Sequence, residues 1–112
     1  MCNPDVCLQV FAKSPKLENV KTRLSSALSL QERQALQTDL IRHTLDTCAS
    51  IDAQLQLWGY PEIDAQLQRL ADAVSATTKQ QKGADLGQRM LFALNEASLI
   101  SLYIIFVLCC LQ

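Results

Sequence analysis

Apolar residues along the chain switch between a period of two and a period near 3.6, and the switches predict its elements. Asp5 to Ala12 is a short Val-, Leu- and Phe-containing run that ends at a turn-like segment, the pattern of a buried strand. Lys13 to Asn19 is a basic loop carrying Pro15, and Val20 to Leu28 predicts a short helix with Asn19 as its N-cap. Ser29 with Glu32 forms a capping box at the head of a longer helix, whose stripe is Leu36, Leu40, Ile41, Leu45 and Cys48. His43 falls off the centre of that stripe and reads as a half-exposed helix residue. Ala53 to Tyr60 alternates, with Ala53, Leu55 and Leu57 on one side and Gln54, Gln56 and Trp58 on a wetter one. Gly59 to Pro61 breaks this strand.

Glu62 to Ala73 returns to helical spacing through Ile63, Leu67, Leu70 and Ala71. Val74 to Lys79 is rich in β-branched residues and predicts a third strand. After a loop at Gln80 to Ala84, Asp85 to Ala97 predicts a helix with Leu86, Met90, Leu91 and Leu94 as its apolar face. Leu102 to Leu108 is apolar on both faces and predicts a fourth strand, central in its sheet. The order β-α-α-β-α-β-α-β argues for an α/β fold, a mostly parallel sheet with helices on both faces and right-handed crossovers. No repeat, low-complexity segment or linker divides the 112 residues, so a single domain is expected.

Composition narrows the partners. The net charge of −1 gives no global positive field, which argues against a nucleic-acid binder working by overall charge. The five cysteines, Cys2, Cys7, Cys48, Cys109 and Cys110, are odd in number, irregularly spaced and without a C-x-x-C pair. A zinc site needs about four soft ligands at workable spacing, so no metal site is expected and the thiols read as reduced and mostly buried in a cytoplasmic protein. The N-terminus lacks the basic start and apolar core of a signal peptide. The apolar run Leu99 to Leu111 falls short of the ~20 residues a bilayer crossing needs. Cys109 to Gln112 has the form of a C-a-a-X box but no polybasic segment beside it.

In a parallel sheet the loops after the first and third strands open on the same edge, where ligands of open α/β sheets bind. The first loop and the helix after it place four cations, Lys13, Lys16, Lys21 and Arg23, between positions 13 and 23. With Lys21 and Arg23 in a first helical turn, unpaired N–H groups and the macrodipole would favour an anion, a diphosphate above all. A solvated basic loop is the alternative. The second loop leads into Gln81-Lys82-Gly83-Ala84-Asp85-Leu86-Gly87-Gln88-Arg89-Met90. Asp85 is either a helix cap or a ligand group, and Arg89 has Asp85 as a partner at i, i+4.

Together the stretches are recognisable. Phe11-Ala12-Lys13-Ser14-Pro15 followed by Val20-Lys21-Thr22-Arg23-Leu24 resembles the F-A-K-x-P-x-x-G-x-V-K-T-R-L opening of a glycosyltransferase-A-like family, the radical-SAM/selenodomain-associated transferases, also grouped as a domain of unknown function. Gln81-x-Gly83-x-Asp85-Leu86-Gly87-x-Arg89-Met90 matches that family's second signature. The resemblance covers residues 6–97 and leaves a divergent apolar tail at 98–112. It implies the N-terminal half of a Rossmann-like nucleotide-diphospho-sugar transferase fold. Lys13, Lys21, Thr22 and Arg23 would meet the phosphates; Gln81, Gly83, Asp85 and Arg89 would help form the nucleotide pocket. No catalytic residue follows from it. Nucleotidyl transfer is the neighbouring activity, because guanylyltransferases share the broad fold.

The sequence departs from the family at two places. Glu18 stands where the family has Gly, putting a carboxylate and a Cβ into the phosphate loop. The family's fourth strand is followed by Gly-Ser/Thr-Asp-x-Pro, whose Asp belongs to the region binding a divalent metal, Mg²⁺ or Mn²⁺; here the strand runs into Cys109-Cys110-Leu111-Gln112. The expectation is a domain truncated or frameshifted before its metal ligands. Such a chain would bind a nucleotide or nucleotide sugar weakly, turn it over little or not at all, and self-associate through the apolar strand Tyr103 to Leu108. A non-catalytic fragment binding nucleotide or a protein is the alternative.

Overall fold

The computed structural model of the chain describes residues 5–98 and 103–107. Its elements run β1 (Val6–Lys13), a 3-10 turn (Thr22–Leu24), α1 (Leu30–Ala49), β2 (Gln54–Tyr60), α2 (Ala65–Asp72), β3 (Thr77–Gln80), α3 (Leu86–Ser98) and β4 (Tyr103–Val107). The four strands form one parallel sheet in the order β3-β2-β1-β4. The order turns back between β1 and β4, which sets the topological switch point there.

Strand alternation sorts the core into two layers. Leu8, Val10 and Ala12 of β1 and Leu57 of β2 meet Ile41, Leu45 and Cys48 of α1 and Leu67, Leu70 and Ala71 of α2. On the other face, Phe11 and Trp58 meet Ala93 of α3, with Leu86, Met90 and Phe92 packed around them. Helices therefore cover both faces, as the element order predicts. The capping box forms as read: Glu32 N–H donates to Ser29 Oγ at 3.2 Å, and Ser29 N–H donates to Glu32 Oε1 at 2.9 Å. His43 is exposed.

Four sequence expectations change. Val20 to Leu28 is not an α-helix. Val20 O, which would accept from Leu24 N–H in a helix, accepts from Arg33 Nη1 at 3.2 Å, while Leu24 N–H donates to Lys21 O at 2.9 Å. Lys21 has a left-handed backbone, φ 51°, and the segment closes as a 3-10 turn with no cap from Asn19.

The polar side of β2 is not wet. Gln56 and Trp58 are 6% and 1% exposed because α3 covers them. Gln9 Nε2 donates to Gln56 Oε1 at 3.1 Å and to Ala93 O at 2.8 Å, and Trp58 Nε1 donates to Gln56 Oε1 at 2.9 Å. The polar pattern marks a buried hydrogen-bonded layer, where polar groups must find partners.

The inward face of α3 is Leu86, Met90, Ala93 and Ala97, while Leu91 and Leu94 are exposed. Two alanines let the helix backbone approach closely enough for Gln9 to reach a helical carbonyl.

Finally, β4 is not central: it pairs with β1 and lies at the outer edge of the described sheet. Boundaries also move. β2 continues through Gly59 to Tyr60, α2 begins at Ala65 behind the N-cap Asp64, and β3 begins at Thr77 after a left-handed Ser75. At Gly59 a Cβ would lie 2.5 Å from Ile63 Cδ1 and 2.8 Å from Leu67 Cδ1, so those side-chain ends would have to move.

Candidate functional site

β1, β2 and β3 are parallel, so their C-terminal ends share one rim. Lys13 is the register partner of Tyr60, and Gly59 that of Gln80. Phe11 and Trp58, two residues back along the same strands, stack at 6.1 Å and 10° under α3. By strand alternation Lys13 and Tyr60 project to that same face, at neighbouring positions. Arg89, in the first turns of α3, completes the group: its guanidinium carbon lies 4.2 Å from the centre of the Tyr60 ring, within cation–π range. Arg89 Nη1 also donates to Gln81 Oε1 at 3.4 Å.

Gln81 is 5% exposed and anchored by β2, its N–H donating to Gly59 O at 3.0 Å and its Nε2 to Trp58 O at 2.8 Å. Gly83 has φ 142°, and a Cβ there would lie 2.8 Å from Arg89 N. The loop can therefore lie against α3 only with glycine in that place. Asp85 is a helix cap: its Oδ1 accepts from Gln88 N–H at 2.8 Å, and Gln88 Oε1 accepts from Ala84 N–H at 2.9 Å. Arg89 thus turns to Tyr60 and Gln81 rather than to Asp85. Among the described residues no salt bridge neutralises Lys13 or Arg89; the ion pair that forms there joins Arg42 and Asp39 at 2.9 Å.

The basic loop is tied to the opposite layer. Gln37 Nε2 donates to Lys13 O at 2.9 Å, Gln34 Nε2 to Lys16 O at 3.1 Å, and Arg33 to Val20 O. Lys21 is partly buried, and Thr22 and Arg23 are exposed on the 3-10 turn. With no α-helix starting there, the macrodipole argument for an anion at Lys21 and Arg23 falls away. The structure brings Lys13, Gln81 and Arg89 together around Tyr60. Lys21, Thr22 and Arg23 stand on a separate turn after β1.

Sequence reasoning passed over Tyr60, Ser14 and Asp64. Ser14 is 2% exposed; its hydroxyl donates to Asp64 Oδ2, and its N–H donates to Tyr60 O at 2.8 Å. Asp64 Oδ1 accepts from Leu67 N–H at 2.9 Å, so one carboxylate caps α2 and fastens the end of β1. The cue for Asp64 was its place just ahead of the helical run at Leu67.

A divalent metal does not fit this part of the molecule. Among the described residues, no three His, Cys, Asp or Glu side chains stand together. Asp64 and Asp85 are both engaged in helix caps.

A parallel sheet with helices on both faces defines a Rossmann-like α/β protein. Its fold is that of the nucleotide-diphospho-sugar transferases. It superimposes with a TM-score of 0.79 on a 1.90 Å crystal structure from Desulfovibrio desulfuricans G20, of a protein inferred to be a nucleotide-diphospho-sugar transferase. The two are 26% identical, and the match covers 96% of this chain and 47% of the other, so this chain spans about half of its neighbour's length. No protein-family model matches the sequence, and no curated protein matches it significantly. Among the described residues, no helix is long and apolar enough to cross a membrane.

Proposed function

We propose that the chain binds a nucleotide diphosphate or nucleotide-diphosphate sugar at the rim formed by β1, β2 and β3, as a glycosyltransferase-like domain of the radical-SAM-associated kind. The observation that carries the reading is the pairing of Lys13 with Tyr60 in register, with Arg89 over the same ring and, among the described residues, no carboxylate on either cation. Lys supplies point charge and Arg a planar fork, the two features a diphosphate uses. Lys21, Thr22 and Arg23 are the further phosphate contacts, reaching the ligand from the turn after β1. Gln81, Gly83 and Asp85 shape the wall behind it.

Charge-assisted hydrogen bonds contribute about 1.5–3 kcal/mol each, while association costs about 4–15 kcal/mol. Three or four such bonds correspond to affinity on the order of millimolar. The lack of a metal-ligand cluster among the described residues favours binding without turnover as the second reading. The buried, free thiols of Cys7 and Cys48 support a cytoplasmic setting.

Titration with UDP, GDP, UDP-glucose, UTP and GTP, followed by amide shifts and by product analysis with and without Mn²⁺, tests both readings. Shifts clustered at Lys13, Tyr60, Gln81 and Arg89, without product, are the expected result. Metal-dependent sugar transfer would overturn the second reading, and release of pyrophosphate from a nucleoside triphosphate would point to nucleotidyl transfer. Unmoved resonances up to several millimolar ligand would remove the nucleotide site.

A further inference from the structure

We propose that Tyr60 is a positioning residue, holding the Arg89 guanidinium as a preformed fork for the ligand's diphosphate. The proposal deepens the nucleotide reading and rests on it. A half-exposed arginine on the first turns of a helix ordinarily samples many rotamers, and binding must remove that freedom. Here two strand ends remove it beforehand. The ring of Tyr60, the last residue of β2, lies 4.2 Å beneath the guanidinium. Gln81, just past β3, takes Nη1 at 3.4 Å and is itself fixed to Trp58 O at 2.8 Å.

The arrangement also decides which partner Arg89 does not take. Asp85 stands four residues earlier on the same helix and would neutralise it, but Asp85 Oδ1 is held at 2.8 Å by Gln88 N–H. No carboxylate among the described residues neutralises the guanidinium, and its Nε is buried without a hydrogen-bond partner there. Lys13 is the register partner of Tyr60 and by strand alternation lies on the same face, so a second cation stands at the neighbouring rim position.

The test is a titration of UDP and GDP against the wild type, Tyr60→Leu, Tyr60→Phe, Arg89→Ala and the double variant Tyr60→Leu/Arg89→Ala. The Arg89 Nε–H resonance of each ligand-free Arg89-containing protein is recorded in parallel. Tyr60→Leu should weaken binding about tenfold, Tyr60→Phe should retain it, and the double variant should bind no more weakly than Arg89→Ala. The ring-current shift of Arg89 Nε–H should vanish in Tyr60→Leu and persist in Tyr60→Phe, with thermal melting confirming that both fold. Undiminished binding by Tyr60→Leu, or losses that simply add, would overturn the positioning role and leave the nucleotide site standing. If the wild type binds neither nucleotide, the reading of the site fails and this proposal with it.

Discussion

Gly83 carries a backbone conformation, φ 142°, that L side chains rarely adopt, and a Cβ there would press on Arg89 N and Gln88 Cβ, each 2.8 Å away. Gly83→Ala should therefore cost about 1–3 kcal/mol in denaturant unfolding. It should also weaken nucleotide binding, because the loop would lift from the helix that presents Arg89. Unchanged stability would mean that the loop relaxes without cost. Cys7 and Cys48 give a second, pH-dependent expectation. Burial raises both thiols above an ordinary value of 9.0. A group raised on folding holds its proton more tightly in the folded chain, so its stabilising effect is complete below 9.0 and fades as pH climbs from there through the folded value. The denaturation midpoint should fall as pH rises above about 9, by less in a Cys7→Ala/Cys48→Ala variant; equal falls would disprove the link. At this scale the sequence disclosed the members of the second motif, and the structure gives each a local role: Gln81 an anchor, Gly83 a close approach, Asp85 a cap, Arg89 a presented charge. It did not disclose Tyr60. What makes that residue matter is its register opposite Lys13 and its position under a helix 29 residues later in the chain, and neither leaves a local pattern.

Elements were legible where local chemistry and tertiary packing agreed. The capping box located the start of α1 because its two hydrogen bonds lie within four residues. The run from Val20 to Leu28 had helical spacing, yet Arg33 of α1 captured the carbonyl that its first helical bond needed. The alternation of β2 gave the strand but misjudged its polar face, because alternation reports which residues share a side and not what covers that side. The covering element is α3, and its alanines disguised its inner face behind the more conspicuous Leu91 and Leu94. The buried glutamines offer a direct test. Gln56 Oε1 accepts from both Gln9 Nε2 and Trp58 Nε1. Gln56→Leu would strand the indole N–H in a site where Trp58 is 1% exposed, at a cost of about 1–3 kcal/mol. Trp58 is the chain's one tryptophan, so its emission reports on this layer alone. Earlier unfolding with a changed native emission is the expected outcome, and an unaltered midpoint would show that the network is energetically idle.

Across the whole molecule, the order β3-β2-β1-β4 puts β1 and β2 in the middle, each paired on both sides. The parallel sheet and its two helical layers followed from the alternation of element types, which is a property of the entire sequence. The place of β4 did not: an apolar strand records that it is to be covered, not which neighbour covers it. Among the described residues nothing pairs with its outer side. An open parallel edge templates further strand pairing unless charge, proline or a covering element blunts it. Tyr103–Val107 holds neither a charge nor a proline. The expected result is self-association that pairs β4 with a second copy. N–H groups along a strand point alternately to its two sides, so in dilute solution every second amide of Tyr103–Val107 should exchange rapidly. The amides between them, and those of β1, should stay protected. Raising the concentration should slow the fast set and increase the sedimentation coefficient together. A sedimentation coefficient independent of concentration, with the same amides still exchanging rapidly, would show that this edge does not recruit a partner.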